Sequence, residues 1–181
     1  MPLLIFTAIG SVLTLLFIPK RISLLEIYTT SFFANFLATL SDMYLDVKLD
    51  YYGFFNKGLD WEYIVIFIFI YPAANFIVLN FYPYKKTFFK KATYIFFCSI
   101  VTIIFEYISL KTEVFYYKEW KIWYSAICYP FIYTILILNL KFIRFLNKFN
   151  KITDSSPNPQ SPSSIITFGK MRLKFKHLDH P

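Results

Sequence analysis

The chain has 181 residues, of which 57% are apolar, and its mean hydropathy of +0.49 is far above that of an ordinary soluble domain. The apolar residues form blocks of about 17–22 residues, the length that crosses a bilayer, so the composition excludes a single water-soluble core. The net charge of +8 does not indicate nucleic-acid binding, because the basic residues flank these blocks instead of forming a basic groove.

Five apolar blocks predict an all-α, polytopic membrane protein whose helical bundle covers residues 1–149. Their approximate limits are residues 2–18, 23–44, 61–81, 92–110 and 122–140. The first block lacks a basic start and a cleavage site with small residues, so we expect a retained helix and not a signal peptide.

The distribution of basic residues predicts the orientation of the bundle. Fourteen of the 19 Lys and Arg lie between spans one and two, between spans three and four, or after span five. Cytoplasmic loops carry an excess of Lys and Arg, so we expect the N-terminus outside and the C-terminus in the cytoplasm. Trp61, Trp120 and Trp123 then fall at the outer interface, where tryptophan is enriched.

Two acidic residues mark the second block. Glu26 lies about one turn inside its cytoplasmic end, where it is expected to reach water or to pair with Lys20 or Arg21. Asp42 lies near the outer end and follows a stripe of small residues that favours close helix packing. That stripe consists of Ser31, Ala34, Ala38 and Ser41.

The third and fifth blocks are each interrupted by a Tyr-Pro pair, at Tyr71-Pro72 and Tyr129-Pro130. Proline removes a backbone hydrogen bond, so Pro72 and Pro130 are predicted to kink their helices. Each pair follows a tryptophan by nine or ten residues and precedes a Leu-Asn pair. This similarity hints at a parallel repeat of two hairpins, spans two–three and four–five, as found in some transporters.

The fourth block places Glu106 on a polar stripe near the outer end of the membrane. We therefore predict a polar site formed by Asp42, Glu106, Asn75 and Tyr129, in which the two carboxylates could share a proton or hold a cation. The competing interpretation is structural: the acids pair with loop lysines such as Lys48, Lys111 or Lys121. A water-accessible cavity lined by the four residues of the predicted site would favour transport, and carboxylates capped by lysine without a cavity would favour the structural role.

No catalytic, metal or cofactor motif is found in the sequence. Cys98 and Cys128 lack CxxC spacing, both His residues lie near the C-terminus, and no nucleophile and base are placed together. We expect no cofactor, no metal and no nucleic acid. The partners we expect are the lipid bilayer and other membrane proteins.

The chain from residue 150 to 181 is rich in Ser, Pro and Asn and is predicted to be a disordered cytoplasmic tail. Its segment GKMRLKFKH alternates basic and apolar residues, so it could contact anionic lipid headgroups. The competing interpretation is a solvated end without a partner.

Three segments, DMYLDVKLDYYGFFNKGLDW, YPAANFIVLNFYP and YYKEWKIWYSAICYPFIYTILILNLKFIR, carry a resemblance over residues 23–144. Here the chain resembles an uncharacterised family of small multi-pass membrane proteins from spore-forming Firmicutes. The resemblance implies an integral membrane protein and supplies no catalytic or ligand residues. The abundance of residues with AT-rich codons also suggests the cell membrane of a low-GC bacterium.

Three functions follow from these observations. The first is a structural or interaction subunit in the bacterial cell membrane. The alternative is a component of a small-solute or cation transporter or channel that uses paired carboxylates near the outer face. A membrane-embedded enzyme is the third.

Overall fold

The computed structural model describes residues 2–55, 61–112, 114–154, 167–168 and 171–172. It divides into two compact units, Met1–Phe145 and Leu146–Pro181. The second unit contains the end of the last long helix and the antiparallel strands Thr167–Phe168 and Met171–Arg172. The rest of the predicted disordered tail lies outside the described residues.

The first unit contains helices and one short β-ribbon. Helix α1 is Pro2–Phe17, α2 is Leu24–Asp42, α3 is Trp61–Phe81, α4 is Phe88–Ser109 and α5 begins at Ile122 and ends at Asp154. Strand β1 is Tyr52–Phe54 and β2 is Phe115–Tyr117. The prediction of a mostly helical protein is therefore correct, although helix α5 continues well past the predicted span.

Within the described residues, three helices are long and apolar enough to cross a membrane: Trp61–Phe81, Phe88–Ser109 and Ile122–Asn150. Helix α1 is apolar but has only 16 residues, which at 1.5 Å per residue gives about 24 Å. Helix α2 has 19 residues and carries an acid at each end, Glu26 and Asp42. The three long helices suggest a membrane protein by their length and composition, and the five-span topology stays a prediction.

Helix α2 begins with a reciprocal capping box. The Ser23 hydroxyl accepts from the Glu26 amide at 3.2 Å, and the Glu26 carboxylate accepts from the Ser23 amide at 2.8 Å. The other Glu26 oxygen accepts from Arg144 Nε on α5 at 2.7 Å. The predicted pairing of Glu26 with Lys20 or Arg21 is therefore wrong, because its cation comes from the far end of the sequence.

The core lies where the second half of α3 packs against α5. Phe76, Leu79 and Leu140 are fully buried there. Asn80, 1% exposed, fixes the α1–α2 turn to this core: its Oδ1 accepts from the Arg21 amide at 2.6 Å and its Nδ2 donates to the Pro19 carbonyl at 3.0 Å.

Helix α3 changes its winding in the middle. Residues Ile66–Ile70 form a π-helical segment, and the α-helix resumes at Tyr71, directly before Pro72. Pro130 lies inside α5, which continues on both sides of it. Both prolines therefore lie inside long helices, as the sequence predicts.

The β-ribbon joins the two helix–strand–helix halves of the unit. Strands β1 and β2 are antiparallel, with Tyr52 opposite Tyr117, Gly53 opposite Tyr116 and Phe54 opposite Phe115. The sequence pattern predicted no strand between these helices. Aromatic residues favour strands, but three residues on each side are too few to give a visible alternation.

Candidate functional site

Asp42, the last residue of α2, is held by phenol groups from three separate places in the first hairpin. Its Oδ1 accepts from Tyr52 of β1 at 2.7 Å, and its Oδ2 accepts from Tyr63 in the first turn of α3, also at 2.7 Å. The Tyr71 phenol, directly before Pro72, interacts electrostatically with the same carboxylate. The end of α2 is thereby tied to both β1 and α3.

Glu106, near the end of α4, has the corresponding arrangement in the second hairpin. It is 6% exposed. Its Oε1 accepts from Tyr117 of β2 at 2.5 Å and from Ser125 at 2.7 Å, and its Oε2 accepts from Tyr129 at 2.8 Å. Trp120 Nε1 donates to the Ser125 hydroxyl at 2.8 Å, which leaves the hydroxyl proton directed at Glu106.

The two clusters contain the same kinds of group in the same order. Each has an acid at the end of one helix, a tyrosine from the following strand, and the tyrosine of the Tyr-Pro pair in the next helix. The two strand tyrosines, Tyr52 and Tyr117, lie opposite each other in the ribbon. This geometry agrees with the predicted parallel repeat of two hairpins.

The predicted four-residue site is divided between different places. Asp42 and Glu106 belong to the two separate tyrosine clusters, and Tyr129 belongs to the cluster of Glu106. Asn75 bonds elsewhere: its Nδ2 donates to the Thr30 hydroxyl at 3.1 Å and more weakly to that of Ser31 at 3.4 Å. These four residues therefore do not form one common cage.

Aromatic ring contacts connect the two clusters. The Tyr52 ring meets the Trp120 ring edge to face, with centroids 5.5 Å apart. Trp120 in turn bonds Ser125, and Ser125 bonds Glu106. The ribbon therefore couples the clusters through packing, while each carboxylate keeps its own donors.

The loop lysines proposed as structural partners have other contacts. Lys48 lies over the Tyr44 ring at 4.3 Å, and Lys111 lies over the Tyr107 ring at 5.1 Å. Lys118, which was not one of those proposed partners, pairs with Asp50 at 2.5 Å. Hydroxyl groups therefore cap the two carboxylates, and the expected loop lysines do not. The structural interpretation is corrected in the identity of the capping groups.

Hydroxyl capping suits a carboxylate that has no counter-ion. Burial, together with the Asp42 carboxylate, raises the pKa of the Tyr52 phenol. Burial and the hydrogen bond to Glu106 raise the pKa of the Tyr117 phenol. Both phenols therefore stay protonated at neutral pH and act as permanent donors.

In both clusters, hydroxyl donors occupy both oxygens of the acid. Within the part of the chain that is described, no group of three or more His, Cys, Asp or Glu could hold a metal ion. A shallow groove between α1 and α3 is lined entirely by apolar side chains: Ala8, Ile9, Val12, Leu13, Val65 and Phe69.

Sequence reasoning found the two acids and Tyr129 but missed the remaining donors, Tyr52, Tyr63, Tyr71, Tyr117 and Ser125. The chain contains 15 tyrosines, so a tyrosine carries little information by itself. The pattern that could have identified these groups is common to both hairpins: an acid, then a short aromatic segment, then a Tyr-Pro pair.

Comparison with known proteins adds no family assignment, because no family model, no curated protein and no solved structure matches this chain.

Proposed function

We propose that this chain is a non-enzymatic integral protein of a bacterial cell membrane, with five spans, that acts as a structural or interaction subunit. One observation carries the proposal: Asp42 and Glu106, the acids near the outer ends of α2 and α4, each accept hydrogen bonds from hydroxyl groups of the next strand and helix. The charged groups that would most suggest transport or catalysis are thus used to hold helices together.

The placement of the basic segments supports the proposed orientation. Asn80 at the end of α3 bonds the α1–α2 turn, and Arg144 of α5 lies over the ring of Tyr84 while it pairs with Glu26. The three basic connections therefore lie at one end of the first unit. That arrangement suits a positive cytoplasmic face with the N-terminus outside.

The helix surfaces support a role in interaction with lipid or other helices. Large apolar side chains stay exposed on every helix of the first unit. In hydrocarbon such surfaces contact lipid tails or a neighbouring transmembrane helix, because no hydrophobic force favours one over the other. A partner helix would therefore be selected by the fit of its surface. The exposed helix faces remain available for such a partner, because the packing within the chain does not cover them.

The test is purification of the full chain from its native membrane in a mild detergent, after brief crosslinking in intact cells. We expect one or more membrane proteins to be recovered at a constant ratio to the chain. Recovery of the chain alone, with and without crosslinking, would contradict the role as a subunit. A tagged, unrelated multi-pass protein of similar size serves as the control for non-specific capture.

The transporter alternative is supported by the break in α3, since broken helices often line a binding site near the middle of the membrane. Asn75 follows the break by about one turn, and its buried Oδ1 has no hydrogen-bond partner among the described residues. If this function holds, vesicles containing the chain should release trapped K⁺ faster than empty vesicles. Asn75→Leu should abolish the excess, and Asn139→Leu, which removes another buried amide, should not.

A further inference from the structure

The end of the α3–α4 connection and the first turn of α4 together combine four lysines with two of the most exposed aromatic side chains among the described residues. The sequence of this segment is KKTFFKK, residues 85–91. Phe88 is 79% exposed and Phe89 is 80% exposed, and their rings lie edge to face, 6.2 Å apart. Exposure of two adjacent phenylalanine rings to water is unfavourable, so an apolar environment would stabilise them.

Among the described residues, no Asp or Glu forms an ion pair with these lysines. The sequence contains no Asp or Glu from residue 63 to 105. Within the described residues, the ion pairs involve other cations, Lys118 and Arg144. Glu26, the acid at this end of the first unit, is already engaged by Arg144 and by the amide of Ser23.

The position of the lysines adds to the local positive potential. Helix α4 begins at Phe88, so Lys90 and Lys91 lie in its first turn. Cations are unfavourable at a helix N-terminus because the helix dipole is positive there. A ligand with negative charge would relieve this repulsion, and one with an apolar part would also cover Phe88 and Phe89.

We infer that the KKTFFKK segment is a binding site for anionic phospholipid, with the lysines around the headgroup phosphate and the two phenylalanines among the upper acyl chains. The inference rests on α3 and α4 crossing the membrane, as the proposed function requires, because the segment then lies at a membrane surface. Aromatic rings at this depth and lysines at the headgroups follow the ordinary preferences of both residue types. A free phosphate ion would leave the aromatic pair uncovered, so the lipid fits better.

The test is native mass spectrometry of the full chain in detergent with added phosphatidylglycerol or phosphatidylcholine. We expect preferential retention of phosphatidylglycerol. Replacement of Lys85, Lys86, Lys90 and Lys91 by Gln should lower it at least about tenfold, since each lysine near an anionic surface contributes roughly a fivefold effect. Replacement of the same four by Arg should preserve it.

A matched control removes the same charge elsewhere, with Gln at four other exposed lysines: Lys20, Lys121, Lys141 and Lys148. Equal loss in this control, or full retention after loss of the KKTFFKK lysines, would overturn the inference. Phe88→Ser with Phe89→Ser should also weaken retention, whereas 10-fold excess inorganic phosphate over lipid should not displace the lipid. Displacement by phosphate together with an unaffected phenylalanine variant would indicate a free-phosphate site instead. Because the assay uses the purified chain, its outcome is independent of whether partner proteins are found.

Discussion

Asn35 of α2 donates from its side-chain Nδ2 to the backbone carbonyl of Phe67 in α3, at 3.1 Å. Phe67 lies in the π-helical segment, where Tyr71 bonds back to the carbonyl of Ile66, five residues earlier. The next donor in that register would be residue 72, which is proline and has no N–H. Asn35 therefore supplies the hydrogen bond that Pro72 cannot give, as neighbouring helices often do at breaks in membrane helices.

This relationship predicts a specific energetic coupling. Asn35→Ala should destabilise the protein by about 1–3 kcal/mol, the cost of a buried carbonyl left without a donor. Pro72→Ala restores a backbone N–H, so in that background Asn35→Ala should cost clearly less. The measurement is thermal unfolding in detergent for both single variants and the double variant. If the cost of Asn35→Ala is the same in both backgrounds, the two residues do not serve the same carbonyl.

The two carboxylate clusters predict independent effects on stability. Asp42→Asn and Glu106→Gln each replace an oxygen acceptor by an NH₂ donor facing tyrosine hydroxyls, so each should lower the free energy of unfolding by about 1–3 kcal/mol. Because the acids share no donor, the double variant should show the sum within about 0.5 kcal/mol. A coupling above that would contradict independent clusters, and the Tyr52–Trp120 ring contact would be the first route to test for it.

The similarity of the two clusters predicts that equivalent tyrosines have equivalent roles. Tyr71→Phe and Tyr129→Phe each remove one hydroxyl group that interacts with an acid, and each should cost about 0.5–1.5 kcal/mol. Tyr28→Phe, at an exposed position of α2, is the matched control and should be neutral. A large effect in only one hairpin would show that the similarity of the two clusters is not functional.

The membrane helices were predictable because their signal is strong: long apolar blocks with few charges. The ribbon and the tyrosine donors were not, since three-residue strands leave no periodicity and Tyr52 meets Asp42 only after the chain turns back. Glu26 illustrates the same limit. Its nearby cations, Lys20 and Arg21, were reasonable partners in sequence, but helix packing brings Arg144 to it instead.

Stability should also depend on Asp46, which lies outside the predicted span in the π-helical extension Met43–Lys48 of α2. Burial, reinforced by the neighbouring Asp50 carboxylate, raises the pKa of Asp46 above its usual value near 3.8. The folded protein therefore binds this proton more tightly than the unfolded chain does. The stabilisation by protonated Asp46 is complete at a pH below the pKa that this residue has in the unfolded chain. It is lost as the pH rises through the pKa of Asp46 in the folded protein.

Asp46→Asn should accordingly raise the unfolding temperature at pH 7, and the difference from the unmodified protein should shrink as the pH falls toward about 4. The measurement is thermal unfolding in one detergent across this pH range. Val47→Thr, at an exposed neighbouring position, should give a difference that does not change with pH. A stabilisation by Asp46→Asn that is constant across the range would contradict an effect of the Asp46 proton.

The orientation can be tested with single cysteines in a background where Cys98 and Cys128 are serine. Lys121→Cys should react in intact cells with a maleimide that cannot cross the membrane, because the start of α5 is expected outside. Lys20→Cys and Lys86→Cys should react only after permeabilisation, because cytoplasmic connections carry the excess of basic residues. Labelling of Lys20→Cys but not Lys86→Cys in intact cells would mean that the α1–α2 and α3–α4 connections face opposite sides. It would then rule out the five-span arrangement, in which α2 and α3 together return the chain to the side where α2 began.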